Sequence, residues 1–431
     1  MLNKMNYTAD LAEKFQGRKS QFSKEVTKAV ESIIENIRQN GDKALFEYAK
    51  KFDGADLEAS NLIVSQAEFD EGLAQVDDDY IRILERTKSQ IEAFHKHQLT
   101  SSWSIFKENG VQMGQIVRPL EKVALYVPGG TAAYPSTVMM NAVPAKLAGV
   151  PELVIITPVK SDGKVNPVIL AAAKVAGVDK IYKVGGAQAV VAAAYGTKSL
   201  PKVDKIVGPG NIFVATAKKL CYGTVDIDMI AGPSEVLVIA DETANPVYVA
   251  ADLMAQAEHD KLASAILVTT SADLVDKVNQ EIARQVQYLE RKEIIESSIE
   301  NYGAAIVVSN LTEAFDVSNQ LAPEHLEILT ENPLEKLPFV KNAGSIFLGE
   351  YTPEPLGDYM SGTNHVLPTG GTAKFYSALG VDAFVKNSAF SYYPQAALSE
   401  FKNDVVKFAQ SEGLTAHANS ISVRFDKENE K

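Results

Sequence analysis

The sequence predicts an α/β fold in which parallel sheets are covered by helices, and three observations lead there. From Val123 onward, short β-branched runs (VALYV, ELVIITPV, KIYKV, DKIV, SEVLVIA, SAILVTT, AAIVVS) alternate with glycine turns and alanine-rich helical segments. Strands buried on both faces have this texture. One unit also repeats: VDKIYKVGGAQAVVAAAYGT from Val178 and VDKIVGPGNIFVATAKKLCYGT from Val203 each read strand, glycine turn, helix, Tyr-Gly-Thr. Over the first hundred residues, by contrast, apolar residues recur at helical spacing.

Taken in order, Val26, Val30, Ile33, Ile34 and Ile37 form one helical stripe that Gly41 is placed to end. A second amphipathic helix runs from about Asp78 to His97. The repeated units put Gly185-Gly186 and Gly208-Pro209-Gly210 at the carboxyl ends of strands, where ligands collect in open α/β sheets. Glycines there serve a tight turn equally well without a ligand. The segment NPVYVAADLMAQAEHD starts well as a helix, since Asn245 can cap it and Pro246 suits its first turn. Glu350 to Gly371 is rich in Pro, Gly, Tyr and Thr, has no period, and carries Asp358 and His365, which marks it as functional. Helix returns from about Ala397 to Gln410, Gly413 stops it, and a short segment with His417 precedes a solvated DKENEK tail.

A chain of 431 residues should hold two or three domains. Its net charge of −13 repels a phosphate backbone, so nucleic acid is not an expected partner. The first residues, MLNKMNYTADLAEKFQGRKS, contain no apolar core of signal-peptide length, and no apolar run reaches the ~18 residues a membrane span needs. The one cysteine, Cys221, excludes an internal disulfide and fits a reducing compartment, so the expected location is cytoplasmic.

Six histidines allow each to be weighed. His95 and His97, in HKHQLT, read as solvent-exposed. Gln256 and His259 stand three apart on one helical face, a spacing that can present two ligands to a metal, and imidazole suits zinc. Asp252, Gln256 and His259 would equally make an ordinary polar stripe. Glu324 and His325, in LAPEHLEIL before a short apolar strand, suit a proton-handling pair, although a Glu-His neighbour also arises by chance at a strand edge. Neither GGAQA nor GPGNIF completes G-x-G-x-x-G, and no acidic residue follows at the distance that holds a ribose. The usual dinucleotide fingerprint is absent.

Together the ordered segments LYVPGGTAAYPSTVMM, VGGAQAV, VGPGN, AGPSEVLVIAD, DLMAQAEHD, LAPEHLE, NAGSIFLG, LGDYMSGTNHVLPT and EGLTAHA resemble the histidinol dehydrogenase family, from about Val123 to Ala418. The resemblance implies a zinc-binding homodimer that oxidises L-histidinol through L-histidinaldehyde to L-histidine with NAD, the last step of histidine biosynthesis. It assigns Gln256, His259, Asp358 and His417 to the metal and Glu324 and His325 to acid–base catalysis. Tyr126, Gln188 and Asn211 match positions that contact NAD, and Ser234, Gln256, His259, His325, Asp358, Glu412 and His417 those around the substrate. It also implies two incomplete Rossmann-like domains with parallel-sheet cores. The expected divisions are an N-terminal helical extension (1–24), a first Rossmann-like domain (25–122 and 236–380) with the metal and catalytic residues, and a second (123–235) contacting NAD. A C-terminal helical tail (381–431), exchanged in the dimer, would bring Glu412 and His417 to the neighbour's site.

On this reading zinc orients the substrate, His325 removes the hydroxyl proton, and Glu324 activates the water that adds to the aldehyde. A cysteine thiohemiacetal is the other common route for aldehydes. Cys221, in KKLCYGT at the end of a helix, reads instead as a small buried residue. Two rivals remain: a relative oxidising another amino or sulfonated alcohol with the same zinc and NAD site, and a non-catalytic α/β ligand-binding protein.

Overall fold

The computed structural model describes residues 1–6, 23–129 and 133–426. Two compact units are distinguished, residues 1–99 with 120–384 and residues 100–119 with 385–431.

The larger unit holds two parallel sheets. In one, the strands Lys122–Tyr126, Glu152–Ile156, Lys180–Tyr182, Lys205–Val207 and Asp226–Ile227 lie in the order third, second, first, fourth, fifth. Strand order therefore reverses between the parallel neighbours Lys122–Tyr126 and Lys205–Val207, the switch point beyond which a crevice opens at the carboxyl ends. The other sheet repeats this order with Glu235–Ala240, Ser264–Thr269, Ala304–Val307, His325–Leu329 and Ser345–Leu348. Its switch point lies between Glu235–Ala240 and His325–Leu329. Each is an incomplete Rossmann-like sheet, as expected.

The two similar sequence units fold as two successive βα units, Lys180–Tyr182 with the helix Gly186–Tyr195 and Lys205–Val207 with the helix Ile212–Cys221. In the first helix every residue from Ala187 to Ala194 is buried, because small side chains let the backbone approach its neighbours closely. The helix Lys24–Asn40 begins where Ser23 Oγ accepts the Val26 N–H, buries Val30, Ile33 and Ile37, and ends at Gly41, whose φ of 52° favours glycine.

Four expectations are corrected. Asn3–Asn6, placed in a helical extension, is a strand paired in parallel with Ala304–Val307; residues 7–22 of that extension lie outside the described residues. An open sheet edge offers four residues hydrogen bonds that an isolated turn of helix cannot match. The helices between Lys24 and His95, grouped by sequence with 236–380, share their core with the five-stranded sheet: Val30, Ile33, Leu45, Leu84 and Ile91 join Val123, Leu153 and Ile155. Amphipathicity shows that a helix has an apolar face and not which sheet will cover it. His95 is fully buried, with Nδ1 2.8 Å from Gln98 Oε1, because it continues the buried stripe Leu84, Thr87, Ile91. His97 is exposed, as expected.

The fourth correction concerns the tail. The smaller unit is built on a three-stranded antiparallel sheet of Trp103–Phe106, Gln112–Pro119 and Val385–Tyr392, followed by the helices Gln395–Ser411 and Thr415–Ser422. The tail from 381 is thus part strand, since Val385–Tyr392 pairs along its whole length with a segment from much earlier in the chain.

Candidate active site

The Glu-His pair sits at the amino end of the strand His325–Leu329, beside the amino end of its neighbour Glu235–Ala240 in the six-stranded sheet. The helix Leu311–Leu321 stops at Ala322, whose φ of 51° is left-handed and costs a non-glycine residue about 1–2 kcal/mol. Pro323 then forbids further helix, and the chain delivers Glu324 and His325 to the start of His325–Leu329. Both side chains grip Glu235 on the adjacent strand. Glu324 Oε2 accepts its N–H at 2.8 Å, and His325 Nδ1 lies 2.9 Å from its carbonyl oxygen. A carbonyl only accepts, so Nδ1 carries the proton and Nε2 is the basic nitrogen. Burial raises the Glu324 carboxyl well above its ordinary range and lowers the His325 imidazole to about 3. At neutral pH His325 is therefore an uncharged base.

Around Nε2 is a buried acidic cluster. Glu354 Oε1 is 3.5 Å from it, and both atoms have no hydrogen-bond partner. Glu354 opens the short helix Glu354–Tyr359, which carries Asp358 one turn later; His365 Nδ1 lies 3.8 Å from Asp358 Oδ1. Behind them the fully buried Glu327 accepts the Glu354 N–H at 2.7 Å and faces Asp252 on the helix Pro246–Ala257. Burial raises the carboxyls of Asp252, Glu327, Glu354 and Asp358 and lowers the imidazole of His365, whereas His259, just past the end of the same helix, is exposed. The charged groups that act on Glu324 and Glu354 are other carboxylates, so the cluster must hold protons or a cation. Ligand atoms of His325, Glu354 and Asp358 fall within 4.8 Å of one another, close enough to share one ion. Gln256, one turn along from Asp252, has both amide atoms buried with no partner. The polar-stripe reading of this helix is thereby excluded for Asp252 and Gln256, which are buried.

The NAD-assigned residues lie at the carboxyl ends of strands in the five-stranded sheet, with Tyr126 and Asn211 on either side of its switch point. Tyr126 ends the first strand of the five-stranded sheet; its hydroxyl accepts the Gly186 N–H at 3.1 Å, and burial raises it to about 12. Gln188 is buried with Nε2 lacking a partner, and Asn211 caps the next helix by accepting from Phe213 and Val214. Past the ends of the first two strands lies a cavity of about 700 Å³, lined in part by Asp53, Pro128, Gly129, Thr157, Pro158 and Lys160. Ligand pockets commonly have this volume.

The structure thus brings Gln256, Glu324, His325 and Asp358 to one region. His259 is close enough to oppose protonation of His325 and His365, and Ser234 directly precedes the Glu235 strand. Glu412 and His417 belong to the smaller unit, where both are exposed. Sequence reasoning missed Glu327 and Glu354. A charged residue inside the apolar strand HLEIL was the available signal for the first. For the second, within PEP, there was none.

Cys221 is buried, and its thiol is pushed up to about 12 by burial. Thiol reagents at pH 8 should label it only after unfolding, and Cys221→Ser should keep activity within about twofold. Rapid labelling of the native protein together with loss of activity would restore a covalent route.

A doubly wound α/β fold with buried proton-handling groups at the amino ends of one sheet and a nucleotide-sized cavity past the carboxyl ends of the other is that of an α/β enzyme. The family model for histidinol dehydrogenase matches residues 16–425. The chain is 73% identical over 429 residues to the histidinol dehydrogenase of Lactococcus lactis subsp. lactis, covering 99% of this chain and 100% of that one. To the histidinol dehydrogenase of Clostridium acetobutylicum it is 59% identical, covering 95% and 94%. The crystal structure of histidinol dehydrogenase from Elizabethkingia anophelis superposes with a TM-score of 0.93 at 38% identity, covering 99% of each chain. The protein belongs to the histidinol dehydrogenase family. Among the described residues, no helix is long and apolar enough to cross a membrane.

Proposed function

We propose that this chain is a zinc-dependent L-histidinol:NAD oxidoreductase that carries L-histidinol through L-histidinaldehyde to L-histidine, the last step of histidine biosynthesis, in the cytoplasm. The observation that carries this reading is the donor set: a glutamine amide buried with both ends unpartnered, beside histidines and carboxylates that lack a compensating cation. Those residues fit zinc. Gln256, His259 and Asp358 would hold it together with His417 supplied by a second copy. Bound zinc supplies a fixed point for the substrate's imidazole and amine, and bound NAD supplies the hydride acceptor.

The chain's own groups do the rest. Ser234, Gln256, His259, Asp358, Glu412 and His417 surround the substrate. His325 Nε2 takes the hydroxyl proton, its ring held by the Nδ1–H···O=C bond to Glu235. Glu324, its basicity raised by burial, takes a proton from the water that adds to the aldehyde. Tyr126, Gln188 and Asn211 contact NAD at the carboxyl ends of the five-stranded sheet. Asp53, whose Oδ2 is buried without a partner beside the cavity, supplies an acceptor for a ribose hydroxyl that no sequence motif announced. A homodimer is supported by the smaller unit, which exposes Trp103, Phe106, Tyr392, Phe401, Phe408 and Leu414.

The test is stoichiometry. Two NADH per L-histidinol consumed, lost on chelation and restored by zinc, is the expected result; one NADH, or activity indifferent to chelation, would overturn it. Glu324→Gln should slow oxidation of L-histidinaldehyde more than that of L-histidinol, by about 10²-fold against the aldehyde if water activation is its role. Equal loss in both half-reactions would remove that role.

A further inference from the structure

Lys218 and Asp228 form an ion pair that no step above uses, with side chains 5% and 2% exposed. Lys218 Nζ donates to Asp228 Oδ1 and, at 2.9 Å, to the Gly208 carbonyl oxygen. Asp228 Oδ2 accepts the Gly208 N–H at 2.7 Å, and Oδ1 also accepts the Met229 N–H at 2.7 Å. The N–H and the C=O of one glycine are therefore held by opposite members of one buried pair.

Gly208 opens the turn Gly208-Pro209-Gly210-Asn211 that follows the strand Lys205–Val207. Its φ of 105° favours glycine, and a Cβ there would stand 2.2 Å from the Tyr126 carbonyl oxygen. A Cβ on Gly210 would stand 3.1 Å from the Tyr126 ring. Tyr126 in turn accepts the Gly186 N–H two residues before Gln188. Tyr126, the turn with Gln188 and the turn with Asn211 thus form one assembly, and Lys218–Asp228 fixes the Gly208 peptide within it.

Stability alone does not account for the pair. Burying two charges costs several kcal/mol per ion, and well-packed apolar replacements are often as stable or more so. What apolar side chains lack is a donor and an acceptor aimed at one peptide. We infer that Lys218 and Asp228 are positioning residues that set the Gly208–Asn211 turn for the nicotinamide dinucleotide. The inference rests on the reading of Tyr126, Gln188 and Asn211 as the cofactor contacts.

Two variants of the full-length, zinc-loaded protein test it. Asp228→Asn keeps the volume, but an amide cannot accept from Gly208 N–H on one side and from Lys218 and Met229 on the other. Lys218→Met/Asp228→Leu removes both charges together, so no unpaired charge is buried, while the Gly208 N–H and C=O lose their partners. KM for NAD should rise about tenfold in both, since small displacements of a positioning element cost this much or more. KM for L-histidinol and zinc content should stay within about twofold, and the double variant should melt closer to the parent than Lys218→Met does. A KM for NAD that stays at the parent value, or that returns to it in the double variant along with the melting temperature, would reduce the pair to a structural role. Asn211→Ala separates this from failure of the cofactor reading. A raised KM for NAD in Asn211→Ala with none in the pair variants overturns the positioning role alone. No change in any of the three overturns the cofactor contacts as well.

Discussion

Replacing His325 by asparagine should lower kcat for both half-reactions by about 10²–10⁴, the usual worth of a positioned acid or base. The loss follows from one hydrogen bond: with Nδ1 donating to the Glu235 carbonyl, only Nε2 is left to take a proton, and an asparagine amide cannot take one. Zinc content should be retained, because the proposed ligands are Gln256, His259, Asp358 and His417. Turnover near the parent value would remove His325 as the base. The same residue sets a pH dependence in the metal-free protein. Its folded value of about 3 lies below the ordinary imidazole value of 6.5, so the unfolded chain binds the proton more readily between them. The stability that His325 contributes is complete above pH 6.5 and is lost as pH falls toward 3. A denaturation series over that range should show a smaller acid loss for His325→Asn than for the parent.

Mixing inactive His325→Asn and His417→Asn subunits should bring activity back to about a quarter of the parent value, if subunits exchange at random in a two-fold dimer. Half of the dimers would then be mixed, and one site in each would have both residues intact. The reason to expect this lies in where the two histidines stand. His325 is buried at a strand end in the larger unit, whereas His417 is exposed on the helix Thr415–Ser422 of the smaller one. No recovery after verified exchange would place both within one chain's site. Recovery well above a quarter would show that His417→Asn alone leaves the site working.

Much of the fold was readable because the signals were local. Alanine-rich helices after β-branched runs, Asn245 and Pro246 at a helix start and Gly41 at a helix end acted within a turn of their own positions. Which sheet the helices from Lys24 to His95 would cover, and that Val385–Tyr392 would pair with Gln112–Pro119, depended on partners distant in sequence.

The candidate site divides the same way. By itself the sequence determined the parallel α/β sheets, the repeated βα unit and, through its ordered motifs, the residues to examine: Gln256, His259, Glu324, His325 and Asp358. It could not decide whether Gln256 was wet or buried, because helical spacing repeats identically on an exposed face and a covered one. Only the tertiary structure decided that, by burying the amide and leaving both of its ends without partners. It also decided which nitrogen of His325 is basic, since the Glu235 carbonyl that fixes the tautomer lies 90 positions away in the chain. Chemistry at this site depends on burial and on hydrogen bonds between distant strands, and both come into being only when the sheets assemble.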